Sequence, residues 1–205
     1  VIYSNTGELI HTTTINGEGN NPGPAIANLD NDGFAEIIVG RQVYTLDHDA
    51  NNALIIVDRF QGNLYQGSNG QGPVSCISDL DGDNRPETIA GTTAYRYPQA
   101  PAGVTATADC TGAEVDPDEV AWCAGNLVPL WDAAQIPSNG IPTSNDDGFC
   151  AVADVLGVDP AAAPGPNNPL DGNPEVIVIA NGRIYILGGA DGIKHRDISP
   201  GAGNN

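Results

Sequence analysis

Asn28-Leu29-Asp30-Asn31-Asp32-Gly33-Phe34-Ala35-Glu36-Ile37-Ile38-Val39-Gly40 and Asp79-Leu80-Asp81-Gly82-Asp83-Asn84-Arg85-Pro86-Glu87-Thr88-Ile89-Ala90-Gly91 are two copies of one pattern. Side-chain oxygens stand at positions 1, 3, 5 and 9 of a loop that runs straight into β-branched residues. A split third copy opens with Ala153-Asp154-Val155 and resumes at Asp171-Gly172-Asn173-Pro174-Glu175-Val176-Ile177-Val178. Each loop is entered by a short apolar strand, at 24–27, 74–77 and 149–152. It is left by a second, at 36–39, 87–90 and 175–180, apolar on both faces as buried strands are. Third strands are expected at 42–46, 94–97 and 183–187, each with a Tyr, and fourth strands at 53–60, 127–133 and 193–198.

A repeated unit decides architecture before local propensity does. Asp79 to Asp154 is a longer step than Asn28 to Asp79 because an insertion rich in Pro, Ala, Gly and Asp occupies 98–147. The third loop has its own Pro-rich insertion, 156–170. Without these, each unit approaches about 40–50 residues, the size of a four-stranded propeller blade. The expected organisation is all-β: a half blade at 1–21, then blades at 22–68, 69–145 and 146–200. Val1-Ile2-Tyr3 before Thr6-Gly7-Glu8-Leu9-Ile10 matches Ile184-Tyr185 before Asp191-Gly192-Ile193, and Gly19-Asn20-Asn21 matches Gly203-Asn204-Asn205. About three and a half blades close a ring poorly, since closed propellers have about 4–8, so the array is expected to belong to a larger propeller or to be completed by partner copies. One short helical turn is expected at 117–124.

The 205 residues carry 26 acidic and seven basic side chains, a formal charge of −19. Nucleic acid and anionic membrane surfaces both require a positive face, so neither is an expected partner. No apolar run approaches the ~20 residues of a membrane helix. The abrupt, strand-like start suggests a mature or trimmed chain, or part of a longer one. With 5 % aromatics the core must be built mainly from Val, Ile, Leu and Ala. Cys76, Cys110, Cys123 and Cys150 form no Cys-x-x-Cys pair, which argues against zinc ribbons and thioredoxin-type sites. An even count suits an oxidising compartment. Cys110 and Cys123, in one loop-rich insertion, are expected to pair; Cys76 and Cys150 either pair or serve as small buried apolar groups.

The loop chemistry points to a hard cation. Ca²⁺ takes six to eight oxygens at about 2.3–2.6 Å, and alternate residues of a tight loop turn toward one centre. The expected donors are Asn28, Asp30, Asp32 and Glu36, with the Phe34 carbonyl, in the first loop. In the second they are Asp79, Asp81, Asp83 and Glu87, with the Arg85 carbonyl. In the third they are Asp154, Asp171, Asn173 and Glu175, with Asp159 supplied by the insertion. An EF-hand closes with Glu at position 12 between helices, which is excluded here, and an all-oxygen set disfavours Zn²⁺ and Cu²⁺. The competing reading is a set of acidic turns held by side-chain-to-backbone hydrogen bonds.

These loops and their flanking strands resemble the FG-GAP/VCBS repeats of integrin-α-like β-propellers, whose loops follow Asp-x-Asp-x-Asp-Gly-x-x-(Asp/Glu). Here Asn28 replaces the first Asp, Asn84 replaces the Gly, and the third loop is interrupted. The resemblance implies Ca²⁺ between the first two strands of a blade, and an extracellular or cell-surface protein for adhesion, ligand binding or scaffolding. Three function classes follow as expectations: a non-enzymatic, calcium-stabilised propeller binding carbohydrate or protein; a structural subunit of an extracellular assembly with possible self-association; and a propeller-type polysaccharide lyase or hydrolase. His11, His48 and His195 lack metal spacing, and no nucleophile or zincin motif occurs. Trp131 is expected to pack in a fourth strand; Trp122 is either a sugar-stacking platform or packed beside the disulfide. No Asn-x-Ser/Thr sequon is present.

Overall fold

A computed structural model of the chain describes residues 1–12, 22–64, 67, 72–112, 114–142, 148–180 and 182–199. Among these residues, fourteen strands and one short helix order as a two-stranded hairpin followed by three antiparallel four-stranded sheets. The hairpin is β1 (Ile2–Tyr3) and β2 (Leu9–His11). The first sheet is β3 (Ala25–Ala27), β4 (Glu36–Val39), β5 (Gln42–His48) and β6 (Leu54–Gln61). The second is β7 (Ser75–Ser78), β8 (Glu87–Ala90), β9 (Thr93–Arg96) and β10 (Val128–Asp132). The third is β11 (Phe149–Ala153), β12 (Glu175–Ala180), β13 (Arg183–Gly188) and β14 (Lys194–Ile198). Every sheet is a meander in chain order, so each acidic loop joins its first two strands. The Gly19–Asn21 and Gly203–Asn205 match lies outside the described residues.

The repeats coincide in detail. Tyr44, Tyr95 and Tyr185 sit at the third residue of the third strand and are all buried. Each third–fourth strand pair carries one register shift, at Tyr44/Leu46, Pro129/Trp131 and Ile186/Leu187. Pro129 is tolerated because β10 is an edge strand, where no ladder partner needs its missing N–H. The third sheet departs in one respect. The last five positions of its split loop, Asp171 to Glu175, keep the spacing of Asp83 to Glu87, but β12 runs two residues further beyond its Glu than β8 does.

Successive sheets face each other across two cores. Leu29, Ile38, Val43 and Phe60 of the first unit meet Ala90, Tyr95, Tyr97, Trp122 and Leu127. Leu80, Ile89, Ala94 and Trp131 meet Val176, Val178, Tyr185 and Leu187. The first strands of the sheets gather together: β7 lies beside both β3 and β11. A parallel bridge joins Gly23 to Val74, and Cys76 of β7 is disulfide-bonded to Cys150 of β11. This settles the open question about Cys76 and Cys150. Cys110 and Cys123 pair as expected, tying a loop to α1 (Pro117–Cys123), whose first turn is capped by the Asp116 carboxylate on the Asp118 N–H. The two disulfides suit an oxidising compartment. No described helix is long and apolar enough to cross a membrane.

Trp131 is buried as the sequence suggested, and its indole N–H donates to the Gly189 carbonyl at 2.6 Å. Gly192, at φ 67°, lies under that ring: a Cβ there would stand 2.7 Å from Cδ2. We expect Gly192→Ala to cost about 1–3 kcal/mol, from a left-handed backbone and from overpacking together. A thermal melt within error of the parent would show that the ring can move aside. Trp122 is 5 % exposed, with its ring 5.8 Å from that of Phe60, so it is not an exposed stacking platform. The packed alternative holds.

Candidate metal centre

Both intact loops turn through two left-handed residues at positions 4 and 6. In the first these are Asn31 (φ 62°) and Gly33 (φ 98°); in the second, Gly82 (φ 80°) and Asn84 (φ 66°). Gly and Asn reach that region at the lowest cost, so exchanging them preserves the turn. That is why Asn84 can replace the expected Gly.

The backbone then repeats one hydrogen-bond scheme. The position-3 carboxylate accepts the position-5 N–H at 3.1 Å, Asp30 from Asp32 and Asp81 from Asp83. The position-5 carboxylate accepts the position-7 N–H at 2.7 Å, Asp32 from Phe34 and Asp83 from Arg85. The closing Glu reaches back across the loop: Glu36 Oε2 accepts the Leu29 N–H and Glu87 Oε2 the Leu80 N–H, both at 2.7 Å. Leu29 and Leu80 plug the core beneath, 1 % and 3 % exposed. The alternation of oxygens in the sequence identified the Glu but not this second duty, nor the role of the Leu at position 2. In the second loop Asp79 also accepts the Gly82 and Asn84 N–H groups, at 2.8 and 3.0 Å.

The carboxylates converge. Oxygens of Asp30, Asp32 and Glu36 lie within 4.8 Å of one another, as do those of Asp79, Asp81 and Glu87. Two unit charges at 4.8 Å repel by about 3 kcal/mol at an effective dielectric near 20, so three ionised groups per loop are costly without a cation. Burial accordingly pushes the Glu36 and Glu87 carboxyls up to about 7, with the neighbouring aspartates adding to it and the Leu N–H bonds opposing it. Asp30 is raised as well, chiefly by burial. Unsatisfied buried oxygens accompany the converging carboxylates. Glu87 is fully buried, yet among the described residues its Oε1 has no hydrogen-bond partner; Asn28 Oδ1 and Asp154 Oδ1, at position 1 of the first and third loops, are likewise buried and unpartnered there. A buried oxygen without a donor costs about 1–3 kcal/mol, which a cation at that point would offset. The donor set fits Ca²⁺.

The third loop is built differently. Glu175 Oε2 accepts two N–H groups, from Val155 at 2.8 Å and Leu156 at 2.9 Å. Asp154 accepts the Gly172 N–H and Asp171 the Asn173 N–H, so the two halves of the split copy meet. The Asp159 carboxylate accepts the Ala161 N–H, and its backbone bonds to the buried Asn168. Among the described residues it joins no three-carboxylate group, and the third loop forms none. Glu114 lies near Cys110 and Cys123, but those sulfurs are bonded to each other and are not thiolate ligands. Arg85 sends its guanidinium to the Tyr97 carbonyl, and Phe34 is 66 % exposed, so at position 7 only the carbonyl is a candidate donor.

These geometries set the pH response of the metal-free protein. An ordinary Glu near 4.5 raised to about 7 means the fold favours the neutral carboxyl. That stability is fully present below about pH 4.5 and is lost as pH rises through about 7. We expect the melting temperature in EDTA to fall from pH 5 to pH 8, and added calcium to abolish the fall; a pH-independent apo melt would contradict this.

Comparison with family models, with curated proteins and with solved structures finds no match.

Proposed function

We propose that the chain is a calcium-stabilised segment of a β-propeller, acting outside the cell as a non-enzymatic binding or adhesion module. The observation that carries the reading is the unpartnered, buried Oε1 of Glu87 among converging carboxylates at the start of a strand. Three meander sheets packed face to face, with their first strands together, support the propeller. The FG-GAP/VCBS-like loops support calcium, and two disulfides support a secreted or surface location.

In this reading the cation converts mutual repulsion among the loop carboxylates into a clamp on each strand pair. Its role is structural, and recognition belongs to the insertions, since variable loops on a rigid scaffold carry binding. Isothermal titration of chelator-treated protein tests the reading: two calcium sites of the same class are expected, and a flat titration would overturn it. A structural-subunit reading is favoured only by the exposed apolar residues Val1, Tyr3 and Leu9 on and beside the β1–β2 hairpin. Sedimentation at rising concentration separates the two.

A further inference from the structure

The two intact loops are near copies, but their surroundings differ. The first loop forms one wall of a cleft of about 620 Å³, within the range of small-molecule pockets, about 300–1,000 Å³. The disulfide-bonded insertion also lines it, through Gln99, Ala100, Val104 and Thr105, and the loop contributes Asp30, Asp32 and Glu36. From the second loop only Arg85 reaches this cleft. The first loop also carries Asn28 where the second has Asp79, so its donor set holds one carboxylate fewer.

The cleft's chemistry limits its ligand. Five carboxylates and one guanidinium line it, so a divalent cation in the loop still leaves an excess of two negative charges. An anionic ligand is disfavoured. Asp58 is already engaged by the Thr107 N–H and hydroxyl, whereas Asp47, Gln99 and Thr105 are exposed at the rim. Phe34 presents a 66 % exposed ring, and Val57 lies exposed nearby. Polar acceptors and donors beside an apolar face suit a ligand that is itself hydroxylated on its edge and apolar on its ring face.

Resting on the calcium reading above, we infer that this cleft binds a neutral saccharide, whose vicinal hydroxyls complete the coordination of the first-loop cation while one ring face lies on Phe34. Hydroxyl oxygens are hard donors of the kind Ca²⁺ takes, and they add no charge to an already acidic cleft. The second site, outside the cleft, takes no part.

Trp122 lines the cleft and reports on it. The full chain, in calcium and in EDTA, is titrated with methyl α-mannopyranoside, methyl α-fucopyranoside and cellobiose, and with galacturonate as the anionic control. Tryptophan fluorescence and calorimetry are read together. A fluorescence change with at least one neutral sugar, in calcium and not in EDTA, is expected. Phe34→Ala keeps the carbonyl and should weaken that binding about tenfold, the loss of one aromatic contact. Ala100→Phe, which narrows the cleft from the insertion side, should abolish it while both calcium sites still titrate. Sugar binding that survives EDTA or Ala100→Phe overturns the inference, as does preference for galacturonate. Calcium binding with no response to any neutral sugar refutes the saccharide alone; failure of calcium itself to bind refutes the reading beneath it.

Discussion

In excess EDTA the protein is expected to melt about 10–20 °C lower than in saturating calcium. Each site contributes about 2.7 kcal/mol when free ion is a hundredfold above its Kd, and one kcal/mol moves the melting temperature of a chain this long by about 2–4 °C. The ion's grip falls on the first-to-second strand connection of two sheets, where Glu36 and Glu87 begin β4 and β8. Glu87→Gln sharpens the test. The amide oxygen still accepts the Leu80 N–H, but the charge is gone and an amide replaces the orphaned oxygen. The variant should lose roughly half of the calcium-dependent shift, because the first loop remains. A melt indifferent to both chelator and substitution would leave the converging carboxylates without a purpose.

The second large effect is expected from the Cys76–Cys150 bridge. It closes a loop of 74 residues in sequence and joins first strands of adjacent sheets. Restricting the unfolded chain over that span is worth about 4 kcal/mol in the loop-entropy description, more than the Cys110–Cys123 bridge with its separation of 13. Cys76→Ser with Cys150→Ser should therefore lower the melting temperature by about 8–16 °C, and the corresponding pair at Cys110 and Cys123 by less. Equal losses from the two pairs would mean that native packing, rather than chain entropy, sets their contribution. The double variants avoid leaving one free thiol to exchange.

Fourteen strands fall close to where the sequence puts them, because their signal is short-range. Apolar runs such as Glu36-Ile37-Ile38-Val39 are bounded by Asp, Asn and Gly residues whose turn chemistry is equally local. The small errors have local causes too. The third strand of the second sheet is Thr93–Arg96 rather than 94–97, since Thr93 pairs with Ala90 immediately after the Gly91-Thr92 turn. The third loop was harder to read. A split copy gives no internal spacing, so the donor supplied by the insertion has no register to fix it; in the structure Asp159 accepts the Ala161 N–H, its backbone bonds to Asn168, and it joins no three-carboxylate group among the described residues.

The sequence by itself determined the repeating unit, the meander order within each sheet and the alternating oxygens of the two intact loops, because all of these act between residues a few positions apart. Only the tertiary structure decided that Cys76 bonds Cys150, that Trp131 caps the Gly189–Gly192 turn, that Glu87 keeps one oxygen without a donor, and that the first loop rather than the second faces a cleft. Those outcomes depend on which surfaces meet when sheets stack and insertions fold back over them. Two loops with nearly the same spelling differ there because burial and access are properties of neighbours far away in the chain.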